Sequence, residues 1–195
     1  MNSVNRLWLP LAGVMGLLIA GLLVEQGQSV SAPVSTTASA GQDFDARLNE
    51  LGITLPEVSR PLAVYKRVVV VGDMAYASGH ICISDAGEIM TGKVGADITT
   101  EQAQAAARRC AIGMLASLKD ELGSLNRIER LVKTTGMVNC TPDFTDQSLV
   151  VNGFSNLLRD LMGDDAGVGA RAAVGMSSLP RGAIVEVEAI FKLVE

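Results

Sequence analysis

Gly169-Ala-Arg-Ala-Ala-Val-Gly-Met-Ser-Ser-Leu-Pro-Arg-Gly-Ala-Ile-Val-Glu-Val-Glu-Ala-Ile-Phe-Lys-Leu-Val-Glu195 ends the chain, and its pattern predicts two strands joined by a turn at Leu179-Pro-Arg-Gly182. Alternate side chains on a strand face opposite ways. Ala170, Ala172, Val174 and Met176 therefore share one face of the first strand, and Gly169, Arg171, Ala173 and Gly175 share the other. Arg171 stands among residues with almost no side chain, so open space is expected around its guanidinium. In the second strand Val185, Val187, Ala189 and Phe191 form an apolar face, while Glu186 and Glu188 project from the opposite one. The donor fork of an arginine matches the two oxygens of a carboxylate, which makes Arg171 a candidate ligand-holding residue. The same pattern equally allows an Arg171–Glu186 or Arg171–Glu188 ion pair between adjacent strands.

Working back along the chain, Thr99 and Gln102 have capping-box spacing, and Gly123 can end the helix they open. Within it Ala103, Ala107, Cys110, Met114, Leu118 and Leu122 recur at helical spacing, a stripe for packing on a sheet. A strand follows over Ile128–Asn139. A second helix comes after Pro142-Asp143, with Val150, Phe154, Leu157, Leu158 and Leu161 as its apolar face and Gly163 as its stop. Ahead of these, Leu62–Val71 and Met74–Ile83 flank Gly72-Asp73, a two-residue hairpin signal. A short helix is expected over Asp45–Leu51. The order ββαβαββ, with two helices on one sheet face, is an α+β layer. The opposite sheet face carries apolar and small residues with a few charges. Packing against other subunits is the economical way to cover it.

The N-terminus reads differently. After Arg6, residues 7–24 carry no charge, and residues 25–45 are rich in Ser, Thr, Ala, Gln and Gly, as a flexible linker would be. Residues 1–24 are expected to be a signal peptide, with Val30-Ser-Ala32 or Ala38-Ser-Ala40 as a cleavage site, or an uncleaved anchor just long enough to span a bilayer. Arg6 ahead of the run, with no Lys or Arg until Arg47, orients the 46–195 domain outside the cytoplasm. A misassigned start codon is the remaining alternative.

Composition narrows the function. A net charge of −5 and a pI near 4.9 argue against a partner held by its phosphate backbone, so no nucleic acid is expected. Aromatic residues make up only 4%, too few for base-stacking platforms. Cys82, Cys110 and Cys140 lack metal-ligand spacing, and an odd count describes no disulfide framework. With His80 the one histidine, a His-based metal site is disfavoured. No metal or cofactor is expected.

Ala170-Arg-Ala-Ala-Val-Gly, Leu179-Pro and Val185-Glu-Val-Glu-Ala-Ile together resemble the C-terminal signature of the RidA/YjgF family of reactive-intermediate deaminases. The likeness continues through Ala77-Ser-Gly-His-Ile81, Thr91-Gly-Lys-Val-Gly95, Lys133-Thr-Thr-Gly-Met-Val138, Asp143-Phe-Thr-Asp-Gln147 and Val151-Asn-Gly153. It covers residues 46–195 in order and is strongest to the endoribonuclease L-PSP/chorismate-mutase-like branch. The resemblance implies a homotrimeric barrel with three clefts between subunits. It implies that Arg171 holds the carboxylate of a 2-imino acid and that Glu186 positions or activates water. By the same resemblance Tyr65, thirteen residues before Ser78, together with Ser78, Gly79 and Asn152, lines the substrate. Taken without it, Tyr65 reads as an interface residue, Ser78-Gly79 as a strand end and Asn152 as an exposed helix position.

Two positions depart from the family pattern. His80 stands where many relatives have glutamine, and Ala173 where the deaminating branch often has cysteine. On regular alternation His80 shares a face with Ser78 and Cys82. Neighbours on one strand face lie about 7 Å apart, too far for a Cys–His nucleophile pair, so His80 is expected to be a hydrogen-bonded strand residue at the cleft edge. The implied activity is hydrolysis of imine or enamine acids to 2-oxo acids and ammonia. A non-catalytic module binding a small carboxylate is the alternative. RNA cleavage is disfavoured by the acidic pI and the lack of a histidine pair.

Overall fold

The computed structural model of the chain describes residues 43–58 and 63–195. Helix α1 (Phe44–Glu50) is capped by the Asp43 carboxylate, which accepts from the N–H groups of Asp45 and Ala46, and it buries Phe44 and Leu48. The hairpin of β1 (Val68–Val71) and β2 (Met74–Ile81) turns where the sequence predicts, with Val71 opposite Met74 and Gly72 at φ 60°. β1 is shorter than expected, beginning at Val68. Helix α2 (Thr100–Leu122) opens on the complete capping box and closes on left-handed Gly123. β3 (Ile128–Asn139) has the expected bounds. In α3 (Gln147–Ala166) Gly163 leaves helical geometry at φ 81°, yet the helix resumes to Ala166, so this glycine interrupts rather than stops it.

β4 (Ala170–Met176) and β5 (Val185–Leu193) complete a five-stranded sheet of order β1-β2-β5-β3-β4. This corrects the expected pairing of the last two strands: β3 lies between them. The cause is α3, whose crossover returns the chain to the starting end of β3, so β4 pairs with it in parallel at the sheet edge. The segment from Ser177 to Ile184 then passes over the end of β3, with Arg181 in left-handed geometry at φ 56° and Ala183 and Ile184 buried. β5, apolar at every second position, takes the centre between β2 and β3.

The helices cover one sheet face. Gly136 of β3 has no room for a Cβ because the Val151 side chain of α3 lies against it. Its strand partners Ala173 and Val187 share that face. Phe154, Phe191, Leu115, Leu118, Leu157 and Leu158 are fully buried in the layer between helices and sheet, each contributing about 1.5–3 kcal/mol relative to exposure. The next row, Ile81, Glu186, Met137 and Val174, points to the uncovered face. Val69, Tyr76, Val174 and Met176 are exposed there or at its rim.

Among the described residues no helix is long and apolar enough to cross a membrane, which corrects the expectation of a transmembrane attachment. The run over residues 7–24, on which the signal and anchor readings rest, lies outside the described residues.

Candidate functional site

Between Ala77 and His80 β2 advances three residues while β5 moves back two, from Ala189 to Val187. The extra residue is a β-bulge at Ser78-Gly79. It resets the strand's phase: Ala77 and His80 both face the helices and are buried, and Ser78 and Gly79 are half-exposed. Ser78 Oγ donates to the Lys66 carbonyl at 2.7 Å and Ser78 N–H to the Arg67 carbonyl at 2.8 Å. These bonds tether the segment carrying the exposed Tyr65 to the bulge. A side chain at position 79 would collide with the Glu186 carboxylate, so glycine is what lets that carboxylate lie against the β2 backbone. Burial, and then the charge of Glu188, raises the Glu186 pKa above the ordinary carboxylate range.

His80 supports the bulge from beneath. Its Nδ1 donates to the Ser78 carbonyl at 2.7 Å, since a carbonyl can only accept. Its Nε2 lies 2.9 Å from Ser117 Oγ on α2 and accepts from it in the neutral ring. Burial lowers its pKa to about 4; the Ser78 carbonyl opposes this and the charge of Arg67 adds to it. The expected hydrogen-bonded role stands, but the ring is buried under the bulge rather than at a cleft edge. Cys82 is also buried, and its Sγ donates to the Met90 carbonyl.

The second group of residues is on the other side of the sheet. Arg171 Nη1 donates to Asn152 Oδ1 at 2.8 Å and to Ser155 Oγ at 3.0 Å, and Nη2 donates to the Ser148 carbonyl at 3.3 Å. All three acceptors belong to α3. The small residues of β4 let the guanidinium reach the helix, and Arg171 remains exposed. The alternative ion pair is corrected. Both glutamates project from the opposite face of β5, and β3 stands between the strands. With both Nη1 protons committed, Nε and the remaining Nη2 proton have no partner among the described residues.

The family model described as "YjgF/chorismate mutase-like, putative endoribonuclease" matches residues 45–191. The chain belongs to the RidA/YjgF family. It is 43% identical to Protein TCP17 of Trypanosoma cruzi over 148 residues, covering 76% of this chain and 92% of that protein. A crystal structure of a protein of unknown function from Agrobacterium tumefaciens is 41% identical, with a TM-score of 0.70 over 77% of this chain and 94% of the other. A protein from Shewanella oneidensis, described as a putative endoribonuclease, is 27% identical, with a TM-score of 0.73 over 77% of this chain and 99% of its own.

Within one RidA/YjgF protomer, then, the six candidate residues form two groups. Tyr65, Ser78, Gly79 and Glu186 gather at the bulge and the uncovered face, and Asn152 and Arg171 at the β4 edge. Sequence reasoning missed Ser155 and the Ser148 carbonyl as holders of Arg171. Ser155 follows Asn152 by three residues, which puts both on one helix face, so assigning Asn152 could have led to it. The bulge left no such signal, because small and polar residues suit either phase of the strand.

Proposed function

We propose that the protein hydrolyses 2-imino or enamine acids to 2-oxo acids and ammonia, in clefts that two copies build together in a homotrimer. The observation that carries this reading is the pinned guanidinium of Arg171, exposed at a sheet edge and paired with no carboxylate among the described residues. Three α3 oxygens fix its orientation beforehand, so a substrate carboxylate meets a site that needs no reordering.

The other half of the chemistry is assigned to Glu186. Hydrolysis adds water across the C=N bond: the water oxygen bonds to carbon, a proton passes to nitrogen, and the C–N bond breaks as ammonia leaves and the carbonyl forms. A carboxylate with a raised pKa is better able to take the water proton and return it to the departing nitrogen. Ser78 and Gly79 would edge the substrate from the bulge, with Tyr65 beside them. Since Arg171 and Glu186 issue from opposite sheet faces of one protomer, the reading needs Glu186 of one copy to meet Arg171 of another. The uncovered apolar sheet face is consistent with such an assembly.

The test is ammonia release by the full chain from enzymatically generated 2-imino acids. Turnover is expected in the parent, with Arg171→Ala lowering kcat/KM at least a hundredfold and Glu186→Gln lowering kcat more than it weakens binding. Binding of a small 2-oxo acid without turnover in the parent would instead favour the non-catalytic module. An Arg171→Ala variant that binds and turns over like the parent would remove the assignment.

A further inference from the structure

A cavity of about 220 Å³ lies between α3 and the β3–β4 edge. Thr134, Asn152, Ser155, Asn156, Arg159 and Arg171 contribute its polar lining, and no carboxylate does. Two arginines thus line one small cavity in a protein of net charge −5, and Arg159 also borders the neighbouring surface pocket beside Asp160 and Asp164. Thr134, the β3 residue paired with Arg171, is 1% exposed, and its hydroxyl has no hydrogen-bond partner among the described residues. A buried hydroxyl without a partner is costly, and Thr134 is one of the residues around this cavity. Asn152, Ser155, Asn156 and Arg159 fall at i, i+3, i+4 and i+7, one stripe of α3. Arg159 makes only a loose contact of 3.6 Å with its neighbour Asp160, and both side chains are about half exposed.

We infer that this cavity is a second anion subsite, and that the acids this protein takes are dicarboxylates whose distal carboxylate is held by Arg159. The inference rests on the reading of Arg171 as the holder of the first carboxylate. Arg171 is bonded at Ser155, and Arg159 lies one turn further along, a rise of about 6 Å. The carboxyl carbons of a four- or five-carbon dicarboxylic acid are roughly 4–5 Å apart at about 1.5 Å per bond, a span comparable to that one-turn step along α3. The cavity is smaller than the roughly 300–1,000 Å³ usual for ligand pockets, as suits the side chain of a small acid. Asn156 adds a neutral hydrogen-bonding group to the lining. A purely apolar side chain would leave this polar lining unmatched.

Calorimetric binding of 2-oxoglutarate and 2-oxobutyrate to the full chain tests this. The dicarboxylate is expected to bind at least tenfold more tightly than the monocarboxylate. Arg159→Gln should bring the two within about twofold while leaving 2-oxobutyrate unchanged, and Arg159→Lys should keep most of the preference. Equal affinities in the parent, or a preference that survives Arg159→Gln, would overturn the subsite. So would an Arg159→Gln variant that weakens both acids equally, since that is damage to α3 rather than loss of a distal contact. In each of these cases the proposed function stands as long as 2-oxobutyrate binding still depends on Arg171. If Arg171→Ala leaves both acids bound as before, it is the proposed function that fails.

Discussion

At the scale of single residues, His80 gives the clearest link from burial to measurable behaviour. The unfolded chain takes up a proton on this ring near pH 6.5, and the folded protein only near about 4. Protonation therefore favours unfolding. The stability that the neutral, buried ring contributes is fully present above about pH 6.5 and is lost as pH falls toward 4. The gap amounts to about 3 kcal/mol, of which about 2 kcal/mol is gone by pH 5. Glu186, with its pKa raised by burial and by Glu188, works in the opposite sense. Urea midpoints at pH 7 and pH 5 are expected to differ markedly in the parent and much less in His80→Gln. Equal losses in the two would mean that the ring does not carry the dependence. The strand faces of Arg171 and Glu186 were legible in the sequence, but the surroundings of Arg171 were not. Spacing along β4 shows how small its neighbours are, not which helix that smallness lets it touch.

At the scale of elements, most of the architecture could be read locally. Capping residues fixed the start and end of α2, a glycine turn fixed the first hairpin, and the 3.6-residue apolar period identified α3. Two features could not be read this way. A turn such as Leu179-Pro-Arg-Gly182 is compatible with a hairpin, and only the helical crossover before β4 decides that this strand lies beyond β3. The bulge at Ser78-Gly79 shifts phase by one residue without changing composition. Packing between elements is equally specific, and Gly136 shows how closely α3 approaches β3. Its missing side chain is the space that the buried Val151 occupies. Gly136→Ala is expected to destabilise the protein by about 1–3 kcal/mol through overpacking. Adding Val151→Ala to that variant should cost less than the two changes summed, because the second relieves the first. Simple additivity in urea denaturation would show that the two residues do not compete for this space.

At the scale of the whole molecule, one protomer carries two groups of candidate residues that it does not itself bring together. Arg171 is anchored to α3 at the β4 edge, and Glu186 lies against Gly79 on the uncovered face of the sheet. A reaction that needs a held carboxylate and a proton-transferring carboxylate around one substrate would then belong to the assembly. That claim is tested most directly by mixing. Arg171→Ala and Glu186→Gln chains, each expected to be strongly impaired, are co-expressed, purified as mixed assemblies and assayed for ammonia release from 2-imino acids. If each cleft takes Arg171 from one copy and Glu186 from another, random mixing restores about a quarter of the parent activity. A mixture no more active than the two variants assayed separately would contradict a site shared between copies.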